Sequence, residues 1–168
     1  GPYFAPVQAG AQDPTCIRNP DPAEYVPILD EFGDCIGRWS SAVELPGALE
    51  LGLTLRQRGI LAALGHSDAT HEEVLRAMDY GYTLLTHFYS GMATVRRVYG
   101  YRHAGSIESG YLMDELDVEI IADGHHLPPS LLKLIYKSKG SGHICLVTDS
   151  IEDAGMPEGT IGGTETVP

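Results

Sequence analysis

The sequence predicts an α/β fold in which helices cover a parallel sheet, and two observations carry that prediction. Short apolar runs alternate with longer segments of helical period, the pattern of right-handed β-α-β crossovers. Four of those runs also end on residues capable of chemistry: ILAALGHSDAT on His66, TLLTHFYSGM on His87, VEIIADGHH on Asp123 to His126, and HICLVTDS on Asp149. In parallel α/β barrels the active site sits at the carboxyl ends of successive strands, so this recurrence is a functional signal. The alternation itself fits either a doubly wound sheet or a barrel.

The elements follow in order. Residues 1–37 form a loop-rich start in which Pro2, Pro6, Pro14, Pro20, Pro22 and Pro27 punctuate one short helix around Glu24 to Phe32. The βα repeats span 38–150. Leu45, Leu49, Leu53 and Leu55 recur at roughly helical spacing, with Pro46 in the first turn and Gly59 as the stop. Ile60 to Gly65 reads as a strand, and Thr70-His71-Glu72-Glu73 has the capping-box spacing that opens a helix carrying Val74, Leu75 and Met78. Thr83 to Thr86 is the next strand, followed by a long loop with Arg96, Arg97 and Arg102, a helix near Ile107 to Glu115, and the strand Val118 to Ala122. Pro128 and Pro129 open a helix over Leu131 to Lys139 that Gly140 closes, and Ile144 to Thr148 reads as a buried strand. Residues 151–168 are a loop-rich tail.

Composition narrows the function classes. The 168 residues suit a single domain, and 43% apolar with 20% charged residues is ordinary for a soluble globular protein. A formal net charge of −12 repels a phosphate backbone, so neither nucleic acid nor an anionic membrane is an expected partner. No apolar stretch is long enough to span a membrane, and no secretion signal opens the chain. Cys16, Cys35 and Cys145 are widely spaced and in no CxxC pattern, which predicts reduced, mostly buried thiols in a cytoplasmic protein.

His66 and His87 lie one βα unit apart, at equivalent ends of consecutive strands. Neighbouring strands are about 4.8 Å apart, so two such imidazoles could share one divalent metal with bonds of about 2.0 to 2.1 Å. The competing reading is that each histidine hydrogen-bonds a backbone carbonyl. Asp149 follows a strand and is placed either to move a proton at a metal site or to cap a turn. His125 and His126 are adjacent, so at most one faces the site, and Asp123 reads equally well as a loop cap.

The motifs GHSDAT (Gly65 to Thr70), THFYSGM (Thr86 to Met92), ADGHH (Ala122 to His126) and LVTDS (Leu146 to Ser150), in this order, resemble the N-acetylglucosamine-6-phosphate deacetylases of the amidohydrolase superfamily. The opening GPY and the GAQDP of Gly10 to Pro14 are similar to the same family's earlier metal-ligand loop. The resemblance covers nearly the whole chain. It implies a partial (β/α)₈ TIM-like barrel of the metal-dependent hydrolase type, with a divalent metal, Zn or else Fe or another divalent ion, held by His66 and His87. It further implies Asp149 as general base and acid, and His126 as a residue that hydrogen-bonds the bound sugar phosphate and helps place the amide. The activity implied is hydrolysis of the acetamide of N-acetylglucosamine 6-phosphate to glucosamine 6-phosphate and acetate, with a homodimer admitted.

Departures from the family pattern keep other readings open. The family's third ligand is a Glu directly before the Gly-Pro dipeptide, a position ahead of Gly1, and the barrel's last strands would follow Pro168, so a segment of a longer enzyme is expected. Gln12 stands where the family commonly has His, and Ser90-Gly91 where it has Asn-Ala; both loops hold the sugar phosphate, for which Arg102 belongs to the concentrated positive charge near the mouth. The alternatives are an amidohydrolase with a different N-acyl or cyclic amide substrate, and a noncatalytic remnant that binds sugar or a partner.

Overall fold

A computed structural model describes residues 2–150 and 154–157, together with two short backbone strands at 161–162 and 165–166. Gly1 and most of the tail expected at 151–168 fall outside the described residues. In chain order the elements are α1 (Pro22–Phe32), β1 (Arg38–Ser41), α2 (Ala48–Gln57), β2 (Leu61–Leu64), α3 (His71–Asp79), β3 (Tyr82–Leu85), β4 (Arg96–Val98), β5 (Tyr101–His103), α4 (Ser106–Leu112), β6 (Asp117–Ile120), α5 (Pro129–Lys139), β7 (Ile144–Leu146), β8 (Ile161–Gly162) and β9 (Glu165–Thr166).

Five strands make one parallel sheet in the order β1-β2-β3-β6-β7. The helices bury apolar stripes on one face of it. Leu51 and Leu55 of α2, Val74 and Ala77 of α3, Ile107 of α4 and Ile135 of α5 join Ala62, Leu64, Leu85, Val118 and Ile120 of the strands in a single core. A buried hydroxyl ties the layers together, because Tyr82 Oη lies 2.7 Å from Ser41 Oγ and donates to the Ala48 carbonyl at 2.8 Å. α3 begins where the sequence places it, with the Thr70 side chain accepting from the Glu73 amide and Glu73 reaching back to Thr70.

The opposite face carries polar groups beside Ala63 and Leu84. Ser40 and Thr86 pair their hydroxyls at 2.7 Å, and Arg38 of β1 forms an ion pair with Glu119 of β6 across the two intervening strands. Glu119 is 5% exposed, and its second oxygen, Oε2, has no hydrogen-bond partner.

Several sequence expectations are corrected. A strand at Arg38–Ser41 precedes the four that the apolar runs mark; its residues, Arg-Trp-Ser-Ser, supply no apolar run because Arg38 and Ser40 face the polar side. The long loop with Arg96, Arg97 and Arg102 contains the antiparallel hairpin β4–β5. Pro46 lies in the turn before α2, whose N-cap is Gly47 at φ +86°, and α4 stops at Leu112 because Met113 adopts an extended backbone. All three cysteines are exposed rather than buried, and β7 is a sheet edge with Leu146 74% exposed. An edge strand has a neighbour on one side only, so an apolar sequence there does not by itself produce burial. Among the described residues no helix is long and apolar enough to cross a membrane.

Candidate metal centre

The pleat of the sheet explains why the two histidines need an unusual backbone. Register places Ser40, Ala63 and Leu84 side by side, and the Ser40–Thr86 contact puts Thr86 on their face. Alternation then assigns Gly65 and Thr86 to the polar face, and the residues after them, His66 and His87, to the helix layer. Both instead take left-handed conformations, with φ +48° at His66 and +33° at His87, and Asp149 does the same at +52°. Left-handed backbone at residues other than glycine costs on the order of 1 to 3 kcal/mol each and clusters at functional sites. Here the reversal lets both imidazoles leave the strands toward a common point.

They meet there at hydrogen-bonding distance. The Nε2 atoms of His66 and His87 are 3.1 Å apart, and the rings stand at 90° with centroids 4.8 Å apart. Nδ1 of His66 lies 2.7 Å from the Gln8 backbone carbonyl, which can only accept, so this nitrogen carries the proton. In the neutral ring Nε2 therefore presents its lone pair to His87. Phe4 stacks on His66 at 4.3 Å between centroids, while Gly10 and Gly91 press close to it; a Cβ on Gly91 would lie 2.8 Å from Nδ1. Burial disfavours the charged imidazolium and lowers the His66 pKa, with the Gln8 bond and the Asp149 charge acting the other way.

This pair suits a divalent cation. Two ligands on a tetrahedral ion with bonds of about 2.0 to 2.1 Å are about 3.3 Å apart, close to the separation observed. His66 also has the backbone carbonyl partner that metal-bound histidines use to fix their tautomer. His87 lacks one, since its buried Nδ1 has no hydrogen-bond partner. Among the described residues no group of three or more His, Cys, Asp or Glu side chains gathers into a metal site. Among the described residues the two imidazoles are the donors that converge there.

A cavity of about 370 Å³ opens over them and is lined by Gln12 and Asp149 as well as His66 and His87, with Arg38, Ser40 and Thr86 among its other walls. Four of the sequence-selected residues are thus brought together. The other four are not on this wall. Ser90 closes a turn by donating its amide to the His87 carbonyl, Gly91 sits behind His66, and Arg102 pairs with Arg97 in the exposed hairpin. His126 turns back onto Asp123 at 2.7 Å, and Asp123 also accepts the amides of His125 and His126. Those bonds hold the Asp123 carboxyl well below the usual carboxylate range, which is the loop-cap role weighed for it. Sequence reasoning missed Phe4, Gln8, Arg38 and Glu119. The first two lie in a proline-punctuated loop whose fold back onto His66 has no local signature.

Known proteins resemble the chain in both sequence and fold. No family model matches the chain. The N-acetylgalactosamine-6-phosphate deacetylase of Escherichia coli O157:H7 is 34% identical over 95% of this chain and 41% of its own length. The crystal structure of N-acetylglucosamine-6-phosphate deacetylase from Thermotoga maritima superposes with a TM-score of 0.85 at 36% identity, over 96% of this chain and 42% of that one. A mutant of the Mycobacterium smegmatis N-acetyl-D-glucosamine-6-phosphate deacetylase, in complex with N-acetyl-D-glucosamine-6-phosphate, superposes at 0.87 with 30% identity over 95% of this chain and 41% of that one. The chain spans about two fifths of the length of the curated relatives it matches. On sequence and fold alike, the chain belongs to the N-acetylglucosamine-6-phosphate deacetylase family.

Proposed function

We propose that this chain carries the metal-binding and proton-transfer residues of an enzyme that hydrolyses the acetamide of N-acetylglucosamine 6-phosphate to glucosamine 6-phosphate and acetate. The observation that carries the reading is the convergence of two Nε2 atoms, 3.1 Å apart, on a cavity that Asp149 also lines. His66 and His87 hold a divalent ion, with Zn the first choice and Fe or another divalent ion the alternatives. The bound ion supplies Lewis acidity, which acidifies water and polarises the amide carbonyl. Asp149 takes the proton from the attacking water and later gives it to the departing amine. Gln12 meets the substrate from the cavity wall, and His126, Ser90, Gly91 and Arg102, which lie off that wall, are the further residues that the family resemblance assigns to the sugar phosphate. The sheet forms part of a (β/α)₈ barrel. The enzyme works in the cytoplasm, where exposed Cys16, Cys35 and Cys145 stay reduced, and it pairs as a homodimer.

A second reading, the galactosamine epimer as substrate, is favoured by the name of the Escherichia coli relative. Acetate release from both sugar phosphates by the zinc-loaded protein, beside Asp149→Asn, decides between them. Turnover that Asp149→Asn abolishes supports the proposal, and the faster sugar identifies the substrate. Turnover of neither, with another N-acyl or cyclic amide hydrolysed instead, moves the chain to a different amidohydrolase activity. Binding of sugar without any turnover identifies a noncatalytic remnant.

A further inference from the structure

We infer that Asp68 is a positioning residue for His66, acting through Gln8 and anchored by Arg96 of the β4–β5 hairpin. The inference rests on the metal reading above only for its consequence, not for its geometry. Asp68 stands two residues after His66 but contacts it through a detour. One oxygen, Oδ2, forms an ion pair with Arg96, and the other, Oδ1, accepts from the Gln8 side-chain amide at 3.3 Å. The backbone carbonyl of the same Gln8 accepts the proton of His66 Nδ1 at 2.7 Å. The amide of Asp68 is itself fixed, donating to Glu44 Oε1 at 2.6 Å, and Ser67 Oγ donates to Glu44 Oε2 at 2.6 Å. Glu44 is half-buried, and that burial pushes its carboxyl above its ordinary range.

The chain of contacts does one thing. A backbone carbonyl orients an imidazole only if the loop that bears it is held, and the loop at Pro6–Gln8 is a single short turn of 3₁₀ helix with no buried residue. The Ala5 amide ties the start of this turn to the His66 carbonyl at 2.8 Å, and the Gln8 side chain adds a second tether, at the end that bears the orienting carbonyl, through Asp68. With the tether in place the carbonyl selects the Nδ1–H tautomer, which leaves the Nε2 lone pair free toward His87. Without it the other tautomer becomes accessible, and that form puts a proton on the nitrogen that must bind the ion. Because Arg96 belongs to an exposed hairpin, displacement of the hairpin would reach His66 by this route.

Three variants and two readouts test the inference on the full chain. Asp68→Ala removes the tether's acceptor, whereas Gln8→Ala removes the amide but keeps the backbone carbonyl; Asp68→Asn keeps an acceptor and serves as the rescue. Ring ¹⁵N shifts of His66, measured without metal, report the tautomer, and Co²⁺ titration followed by its visible spectrum reports ligation. The expected result is a mixed tautomer and about tenfold weaker Co²⁺ binding in both alanine variants, the lower end of what outer partners of metal ligands contribute, with Asp68→Asn close to the parent. Wild-type tautomer and Co²⁺ affinity in both alanine variants, in folded protein, would overturn it. If the parent binds no Co²⁺, the metal reading fails and the tautomer comparison alone decides the positioning role.

Discussion

His66 and His87 face each other through their Nε2 atoms at 3.1 Å with rings perpendicular, and the proton on His66 Nδ1 is committed to the Gln8 carbonyl. A pair so placed has the spacing required of the two ligands proposed above. Replacing either by Asn is expected to abolish stoichiometric zinc or cobalt uptake while the fold survives. Metal content by mass spectrometry and far-UV circular dichroism on the same samples check both halves of that statement.

Asp149 is expected to matter for turnover and not for loading. The Asp149→Asn protein should keep its metal content and lose about 10²- to 10⁴-fold in kcat, the usual contribution of a positioned acid-base group. Equal loss of metal and activity would assign Asp149 to the ligand set instead.

Acid should destabilise the metal-free chain through His66. Its folded-state pKa lies below the ordinary 6.5, so its contribution to stability is fully present above about pH 6.5 and is lost as pH falls through the folded value. The unfolded chain takes up the proton first. Thermal melts from pH 7.5 down to 5 should show a falling Tm, and the slope should flatten in His66→Asn. A melting profile identical in the two proteins would remove His66 as the cause.

The contact between α2 and β3 offers a stability test away from the site. Tyr82→Phe removes the hydroxyl shared by Ser41 and the Ala48 carbonyl and is expected to cost about 1 to 3 kcal/mol, because buried polar groups lose their partner. Gly52→Ala should cost about as much or more, since a Cβ there runs into the Tyr82 ring. Urea denaturation measures both.

What the sequence made legible was whatever depends on local pattern. The capping box at Thr70 and Glu73, the proline opening of α5 and the four strand ends bearing His66, His87, Asp123 and Asp149 all lie in stretches of chain that specify themselves. Residues whose role comes from distant contacts stayed hidden. Arg38 pairs with Glu119 from the other side of two strands, and Gln8 reaches His66 across 58 positions of sequence. The cysteines misled for a related reason: thiols favour burial on average, but exposure is set by the neighbours each position acquires on folding. Nor does composition disclose a positive φ at a histidine.

That last feature bears on protein design. The His66 and His87 motifs, copied onto regular strands of another parallel sheet, would send both rings into the helix layer, because ordinary pleating directs them there. A successful graft has to carry the left-handed turns as well, and with them the segment around Gln8 that meets His66 from the far side. The portable unit is a pair of strand ends together with their backing loop, not a pair of side chains.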